Sequence, residues 1–266
     1  MSRRSLILRP LINCNHQVQL KALEIRNESS VRQAMFLEDT VSLENFLIWV
    51  ERLKKDPHHE EYLVFDENNQ SLPLGVLCLN EIDTFNKTAN WAMYLTEKEQ
   101  SRLGGILEWF LINYAFETLG LEKLNCQVLE SNTAVIKLHH KYYFQDEGFL
   151  REHVRRKDQK LGAVCLGLTK HDWITRKDQF EIDHEALINR FEVKIEDIPT
   201  ISNQLLRQVE EARESYNLSL SILLRLSLES RSQTKITLDE FMRVQQKVLD
   251  LEKELLALVS PISEHL

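Results

Sequence analysis

Long apolar runs, paired cysteines and glycine-rich loops are all scarce in this 266-residue sequence. No apolar stretch reaches the ~18 residues that a membrane-spanning helix needs, so neither a span nor a membrane partner is expected. Ser5-Leu-Ile-Leu8 is apolar, but Arg9 and Pro10 end the run before a leader's h-region can form, and a cytoplasmic location is expected. The four cysteines, Cys14, Cys78, Cys126 and Cys165, are far apart, with no C-x-x-C and no Cys/His pair at zinc spacing. They read as buried free thiols, and no metal is expected. Surplus basic charge is missing too. The formal net charge is −8, the wrong sign for neutralising phosphates along a nucleic acid, so no nucleic-acid partner is expected.

What the chain does contain divides in two. All seven glycines, four cysteines and four tryptophans precede residue 174. Residues 176–266 carry 12 basic and 17 acidic side chains and no glycine. The shift predicts a mixed α/β domain over 1–175 and a helical extension over 176–266. In the first part, short apolar strands are expected at Leu6–Leu8, Tyr62–Phe65, Leu74–Leu79 and Asn90–Leu95, with helices at Val18–Ile25 and from a Ser42 cap to about Lys54. An amphipathic helix over Gly104–Leu119, a strand at Lys123–Leu129, a helix at Thr133–Tyr142 and strands at Phe149–Val154 and Val164–Leu168 follow. In the extension, Leu205 to Leu226 and Phe241 to Leu258 carry 3/4 apolar spacing, the second helix opened by a Thr237/Glu240 capping box. Stripes of that kind need burial, against the core or in a homodimer through the tail.

The chemistry-bearing residues lie between 90 and 150. Trp91 to Leu107 reads as strand, polar loop and helix, and a helix start with nearby glycines, Gly104 and Gly105, suits a pyrophosphate. A plain helix start explains the same pattern. Gln100-Ser-Arg-Leu-Gly-Gly105 resembles the Q/R-x-x-G-x-G/A loop with which GNAT acetyltransferases bind coenzyme A, with Leu103 at the first glycine. Asn132-Thr-Ala-Val-Ile-Lys-Leu-His-His-Lys-Tyr-Tyr-Phe144 is similar to their N-x-x-A-I-x-L-Y-x-K-x-G-F segment, with His139 at the tyrosine and Tyr143 at the glycine. Two such segments about 30 residues apart are more specific than either alone.

The resemblance implies the GNAT fold, a mixed and mostly antiparallel sheet flanked by helices (α/β, α+β), with acetyl-CoA as co-substrate. It places Tyr94, Leu95, Gln100, Leu103, Gly104, Gly105, Asn132 and Lys141 around the coenzyme. His139 falls where relatives carry the acid that protonates the leaving thiolate, and imidazole is a usable acid near neutrality. Gln127 would orient water or amine, and Glu130 is the nearest carboxylate to receive a proton. Plainer readings stand beside these: surface residues for His139 and His140, ordinary surface charges for Arg26 and Arg32, and for Asn132 a helix cap.

A narrower resemblance over about residues 5–173 is carried by Leu23-Glu-Ile-Arg-Asn27, Met35-Phe36, Lys123 to Val128 and Glu147-Gly148. It points to enzymes of pseudaminic acid biosynthesis that acetylate the 4-amine of a UDP-linked amino-deoxy sugar. It implies a nucleotide-sugar partner held by Arg26, Met35, Phe36, Asn45, Asn80 and Trp91, by guanidinium bonds to diphosphate and apolar contact with the base. Two alternatives stay open. Leu8-Arg-Pro-Leu11 is an opening shared with GNAT enzymes that acetylate protein N-termini, and a non-catalytic coenzyme-binding protein with an interaction tail fits the same composition.

Overall fold

Alternation of apolar side chains sets the sheet. In the computed structural model, which describes residues 3–156 and 159–196 together with Gln246 and Asp250, Leu6 and Leu8 of β1 (Arg4–Pro10) point to one face while Ile7 points to the other. The same alternation recurs in β2 (Glu60–Asp66), with Tyr62 and Val64 opposite Leu63 and Phe65, and in β3 (Gly75–Asp83), with Leu77 and Leu79 opposite Val76. Apolar residues on both faces require cover on both faces. Helices α1 (His16–Arg26) and α3 (Leu43–Leu53) supply one cover through Val18, Ala22, Phe46, Val50 and Leu53. Between them lies the short α2 (Ser29–Ala34). Ser42 caps α3 as expected, its hydroxyl accepting from the Asn45 N–H at 3.2 Å.

The other cover comes from α4 (Gln100–Asn113), which continues as a π-helical turn over Tyr114–Thr118, and from α5 (Thr133–Lys141) and α6 (Lys170–Asp183). The strands β4 (Thr88–Leu95), β5 (Lys123–Leu129), β6 (Gln145–Arg155) and β7 (Lys160–Thr169) complete the expected set. A short α7 (Glu185–Ile188) and an eighth strand, β8 (Phe191–Ile195), follow. The order is β6-β7-β5-β4-β3-β2-β1-β8, antiparallel except for the β4–β5 and β1–β8 pairs.

The domain boundary falls later than composition suggests. The first compact unit is Met1–Glu196 and the second Asp197–Leu266. Trp173 and Phe180 on α6 are 0% and 1% exposed, and β8 pairs in parallel with β1. A glycine-free stretch therefore completes the sheet: strands need no glycine, and the break at Arg176 marks only where glycine-dependent turns cease. Of the two tail helices read from the sequence, Gln246 and Asp250 are described, both helical and joined by a 2.9 Å side-chain hydrogen bond. The rest of both helices lies outside the described residues.

Candidate active site

The sheet forks at its centre. Strands β4 and β5 pair in parallel at Thr88↔Lys123, Ala89↔Leu124 and Asn90↔Asn125, and there the pairing stops. Beyond it, Trp91 to Leu95 pair only with β3, and Cys126 to Leu129 only with β7. Among the described residues, two strand edges thus face each other with backbone groups open to an extended ligand, Leu95 O excepted, which takes the Gln100 side chain. Tyr94 and Leu95, which the resemblance reads as coenzyme-binding, lie on that stretch of β4.

The helix after β4 starts earlier than the glycines. Gln100 is its first residue, so Gly104 and Gly105 lie a full turn inside. Most first-turn donors are already used. The Glu99 and Gln100 N–H groups donate to Thr96 O, and those of Arg102 and Leu103 donate to Glu99 O. Among the described residues, Ser101 N–H is the first-turn donor left without a protein partner. Leu103 is fully buried and packs in the core, so it gives a ligand nothing but its backbone. The Gln100 side chain donates to Leu95 O at 3.3 Å, tying the strand end to the helix start. A surface recess of about 560 Å³ beside this loop is lined by Glu28, Ser29, Ser30, Thr96, Glu97 and Lys98, and its two carboxylates do not suit a pyrophosphate.

Gly105 serves packing. A Cβ on Gly105 would lie 2.9 Å from the Tyr142 hydroxyl, which donates to Gly105 O at 2.6 Å. Gly104 has room, its nearest neighbours being Leu138 at 3.6 Å and Met93 at 3.9 Å. Asn132 caps α5, accepting from the Val135 N–H at 3.4 Å. Lys141 is exposed at the other end of α5, so the two stand roughly 13 Å apart along the helix axis.

His139 is the site residue whose surroundings differ most from a surface histidine. It is 5% exposed, and its ring packs edge-on to Trp91 at 5.0 Å and against Phe144 at 5.4 Å. Its Nδ1 lies 2.8 Å from Glu108 Oε1, on α4. Glu108 is wholly buried and its other oxygen, Oε2, has no hydrogen-bond partner among the described residues. Burial pushes its carboxyl above the usual carboxylate range, with His139 opposing. Trp91 is the first β4 residue past the last β4–β5 pair, and Cys126 is the matching residue on β5. The histidine and glutamate therefore sit beneath the point where the strands separate. His140, by contrast, is exposed and pairs with Asp146 at 2.8 Å.

Gln127 lies on the opposite face of the sheet from His139. Leu124, Cys126 and Val128 point to the α4 side, so Asn125 and Gln127 point away. Glu130 is occupied: its Oε1 accepts from the Gly162 N–H at 2.5 Å while its own N–H donates to Gly162 O. It closes the end of the β5–β7 pair through that oxygen.

The residues read as an acceptor pocket divide likewise. Trp91 is not among them, because alternation buries it with His139 on the α4 side. Arg26 and Tyr94 are neighbours on the other side. Arg26 Nη2 donates to Leu37 O at 3.0 Å, while Nη1 is buried without a partner, and burial lowers the guanidinium's basicity. The Met35-Phe36 segment is held by the end of β6 and the residue after it, with Phe36 edge-on to His153 at 5.8 Å and Arg156 Nη2 donating to Met35 O at 2.5 Å. Asn45 is exposed on α3. The Asn80 amide donates to the Cys78 thiol at 3.8 Å.

Sequence reading missed two buried carboxylates. Glu108 interrupts the apolar stripe Gly104, Leu111, Ala115 at helical spacing, a signal available in the sequence. Glu61 has no such signal. It lies opposite Cys78 across the β2–β3 pair, and His59 Nε2 is 2.9 Å from its Oε2. The donor atoms of His59, Glu61 and Cys78 lie within 4.8 Å of one another, brought together across strands rather than by spacing along the chain. Burial raises both the Glu61 carboxyl and the Cys78 thiol, and Tyr94, beside them, is raised for the same first reason.

Known proteins match this arrangement. Residues 5–145 match the acetyltransferase (GNAT) domain, over half of the chain. The SPbeta prophage-derived uncharacterized N-acetyltransferase YokL of Bacillus subtilis (strain 168) is 26% identical over 147 residues, 54% of this chain and 76% of that protein. The spermidine N-acetyltransferase of Vibrio cholerae, solved in complex with CoA and spermine, superposes with a TM-score of 0.58 at 18% identity, covering 64% of this chain and 98% of that one. A dodecameric structure of spermidine N-acetyltransferase from the same organism superposes with a TM-score of 0.53 at 20% identity over 64% of this chain and 97% of the other. A forked, mostly antiparallel sheet with helices on both faces, matched over that length, places this chain in the GNAT acetyltransferase family, as an N-acetyltransferase.

Proposed function

We propose that the protein transfers an acetyl group from acetyl-CoA directly to the amine of a UDP-linked amino-deoxy sugar. The observation that carries the coenzyme half is the fork. From Trp91 the β5-facing edge of β4 is unpaired, and an extended pantetheine has the length and amide groups to bond to such an edge. The family resemblance gives the leaving-group acid to His139, and its packing against Trp91, where β4 leaves β5, supports that reading. The amine attacks the thioester carbonyl, the C–S bond breaks, and the sulfur takes a proton as the nitrogen loses one.

Support for the acceptor half comes from the far face. Arg26 keeps one buried, unpartnered nitrogen, a donor suited to a diphosphate oxygen. Met35 and Phe36 lie close by in the chain on a segment held by the end of β6 and the residue after it. Gln127 and Asn125 face the same side as Arg26 and Tyr94 and suit the orientation of an amine or a sugar hydroxyl. Acetylation of a protein N-terminus is the competing reading, but the Arg9 of its shared opening is committed to Glu196 and Gln70.

Purified protein with acetyl-CoA should be assayed in parallel on a UDP-4-amino-4,6-dideoxy sugar, on N-terminal peptides and on spermidine. Turnover at least a hundredfold more efficient on the nucleotide sugar is expected. Preference for a peptide or a polyamine overturns the acceptor assignment and leaves the coenzyme half standing. Coenzyme binding without transfer to any of the three overturns the transfer reading and leaves coenzyme binding at the fork standing.

A further inference from the structure

We infer that Glu108 is a positioning residue for the leaving-group acid, forming with His139 a buried pair that holds one proton and delivers it through His139 Nε2 into the fork. This rests on the acetyl-transfer reading above and deepens it.

Three observations carry the inference. The first is geometric. His139 Nδ1 and Glu108 Oε1 are 2.8 Å apart with side chains 6% and 0% exposed, so the contact fixes which ring nitrogen faces the carboxylate. With Nδ1 bound to Glu108, Nε2 is the remaining atom for chemistry, and no described group bonds to it. The second is the orphan oxygen. A core carboxylate placed for packing alone is costly unless both oxygens are satisfied, and Glu108 Oε2 has no partner among the described residues. The third is location. The pair lies against Trp91, where β4 leaves β5.

Sharing a single proton makes the cluster affordable to bury. An imidazolium beside a carboxylate, or an imidazole beside a carboxylic acid, carries no net charge, whereas a lone buried carboxylate does. Titratable neighbours facing the pair are Cys126 on β5 and Tyr142 after α5, and burial raises both with Glu108's charge as a further cause. They hold their protons near neutrality and do not compete. In the transfer step the C–S bond breaks, the sulfur takes the proton from Nε2, and Nδ1 stays bonded to the carboxylate. The proton released from the attacking nitrogen passes to water, and the pair refills from solvent.

The test combines kinetics with a readout that needs no turnover. In Glu108→Gln, the coenzyme dissociation constant by calorimetry should stay within about twofold of wild type while kcat falls tenfold or more. Catalysis by the protonated pair fails as pH rises. Losing the carboxylate removes what stabilises the imidazolium, so the alkaline limb of the kcat profile should move to lower pH by about one unit or more. A variant with unchanged kcat and pH profile overturns the inference, since a purely packed glutamate would move neither. On the unsubstituted protein, ¹⁵N-histidine NMR should show a buried ring protonated at Nδ1 whose Nε2 resonance shifts when coenzyme A is added. This measurement decides the matter if Glu108→Gln does not fold. An Nε2 signal unmoved by saturating coenzyme A means the pair is structural. Failure of coenzyme A to bind at all would instead refute the acetyl-transfer reading.

Discussion

Tyr143 adopts a φ of +67° and sets its ring edge-on to Phe180, with centroids 6.0 Å apart. The backbone conformation is the left-handed one that glycine takes without penalty, and the GNAT segment that this stretch resembles carries glycine there. Here a tyrosine accepts a cost of about 1 kcal/mol. Its ring meets Trp173 and Phe180 of α6 and lies under the Arg176 guanidinium at 5.2 Å. The departure from the motif is therefore tied to α6, which the aromatic side chain docks.

Two substitutions separate strain from packing. Tyr143→Ala should lose the ring contacts and keep the strain, destabilising by about 2–3 kcal/mol. Tyr143→Gly loses the same contacts and relieves the strain, so it should be the more stable of the two by about 1 kcal/mol. Chemical denaturation of both variants measures the difference. A glycine variant no more stable than the alanine one would mean that the turn is unstrained.

Much of this architecture was legible in the sequence because it rests on local chemistry. Short apolar runs marked β1 to β5, Ser42 and Asn132 marked helix starts, and the spacing of Gln100 and Asn132 pointed to the family. What escaped depends on contacts between distant residues. β8 is five residues in a charged stretch, held by its pairing with β1, and nothing local announces it. Glu61 meets Cys78 only because two strands pair in one register. The glycines at 104 and 105 suggested a ligand loop, yet they lie inside a helix, and Gly105 makes room for the Tyr142 hydroxyl. His139 was found through the motif, but its partner Glu108, 31 residues earlier, was passed over as an ordinary helix position.

The glycines should respond oppositely to alanine. A methyl group on Gly104 meets its neighbours at ordinary contact distance, and alanine is the better helix former, so Gly104→Ala should be neutral or stabilising by up to about 1 kcal/mol. At Gly105 the methyl group meets the Tyr142 hydroxyl at 2.9 Å, and Gly105→Ala should destabilise by about 1–3 kcal/mol. Adding Tyr142→Phe removes the colliding oxygen, so the double variant should be more stable than the summed single effects predict. Additive effects in thermal and denaturant melts would place the clash elsewhere.

Direct transfer requires no acyl-cysteine, and the thiols are poorly suited to form one. Burial pushes the Cys14 thiol up to about 12 and raises Cys78 and Cys126 further, so all three are protonated near neutrality and weak nucleophiles. A chain with all four cysteines replaced by alanine should keep at least a third of wild-type kcat, and no acyl-enzyme should appear by mass spectrometry. The same shifts have a stability consequence. The folded state holds thiol protons that the unfolded chain gives up above about pH 9, so stability should fall as pH rises past that point. The alanine chain should lose less stability than wild type between pH 8 and 10. A trapped acyl-cysteine, or loss of turnover in the folded variant, would refute direct transfer.

Where the chain is cut should decide whether the acetyltransferase unit survives. Composition alone places the boundary at Thr175, but a chain ending there lacks Phe180 and Phe191, which are 1% and 5% exposed, and the whole of β8. It also lacks Glu196, whose carboxylate takes two bonds from Arg9 and whose N–H donates to Leu8 O at 2.9 Å. Losing two buried aromatics exposes their contact surfaces and costs several kcal/mol, a large share of a domain's usual stability. The 1–175 chain should be insoluble or unfolded by circular dichroism. A chain ending at Glu196 keeps every one of these contacts and should fold and transfer acetyl groups at a rate within about threefold of full length. If the apolar stripes of 205–258 serve assembly, light scattering should show the 1–196 chain in a smaller oligomer than the full protein. A 1–196 chain that folds and binds coenzyme A normally but transfers nothing would show that residues beyond 196 help to build the acceptor site.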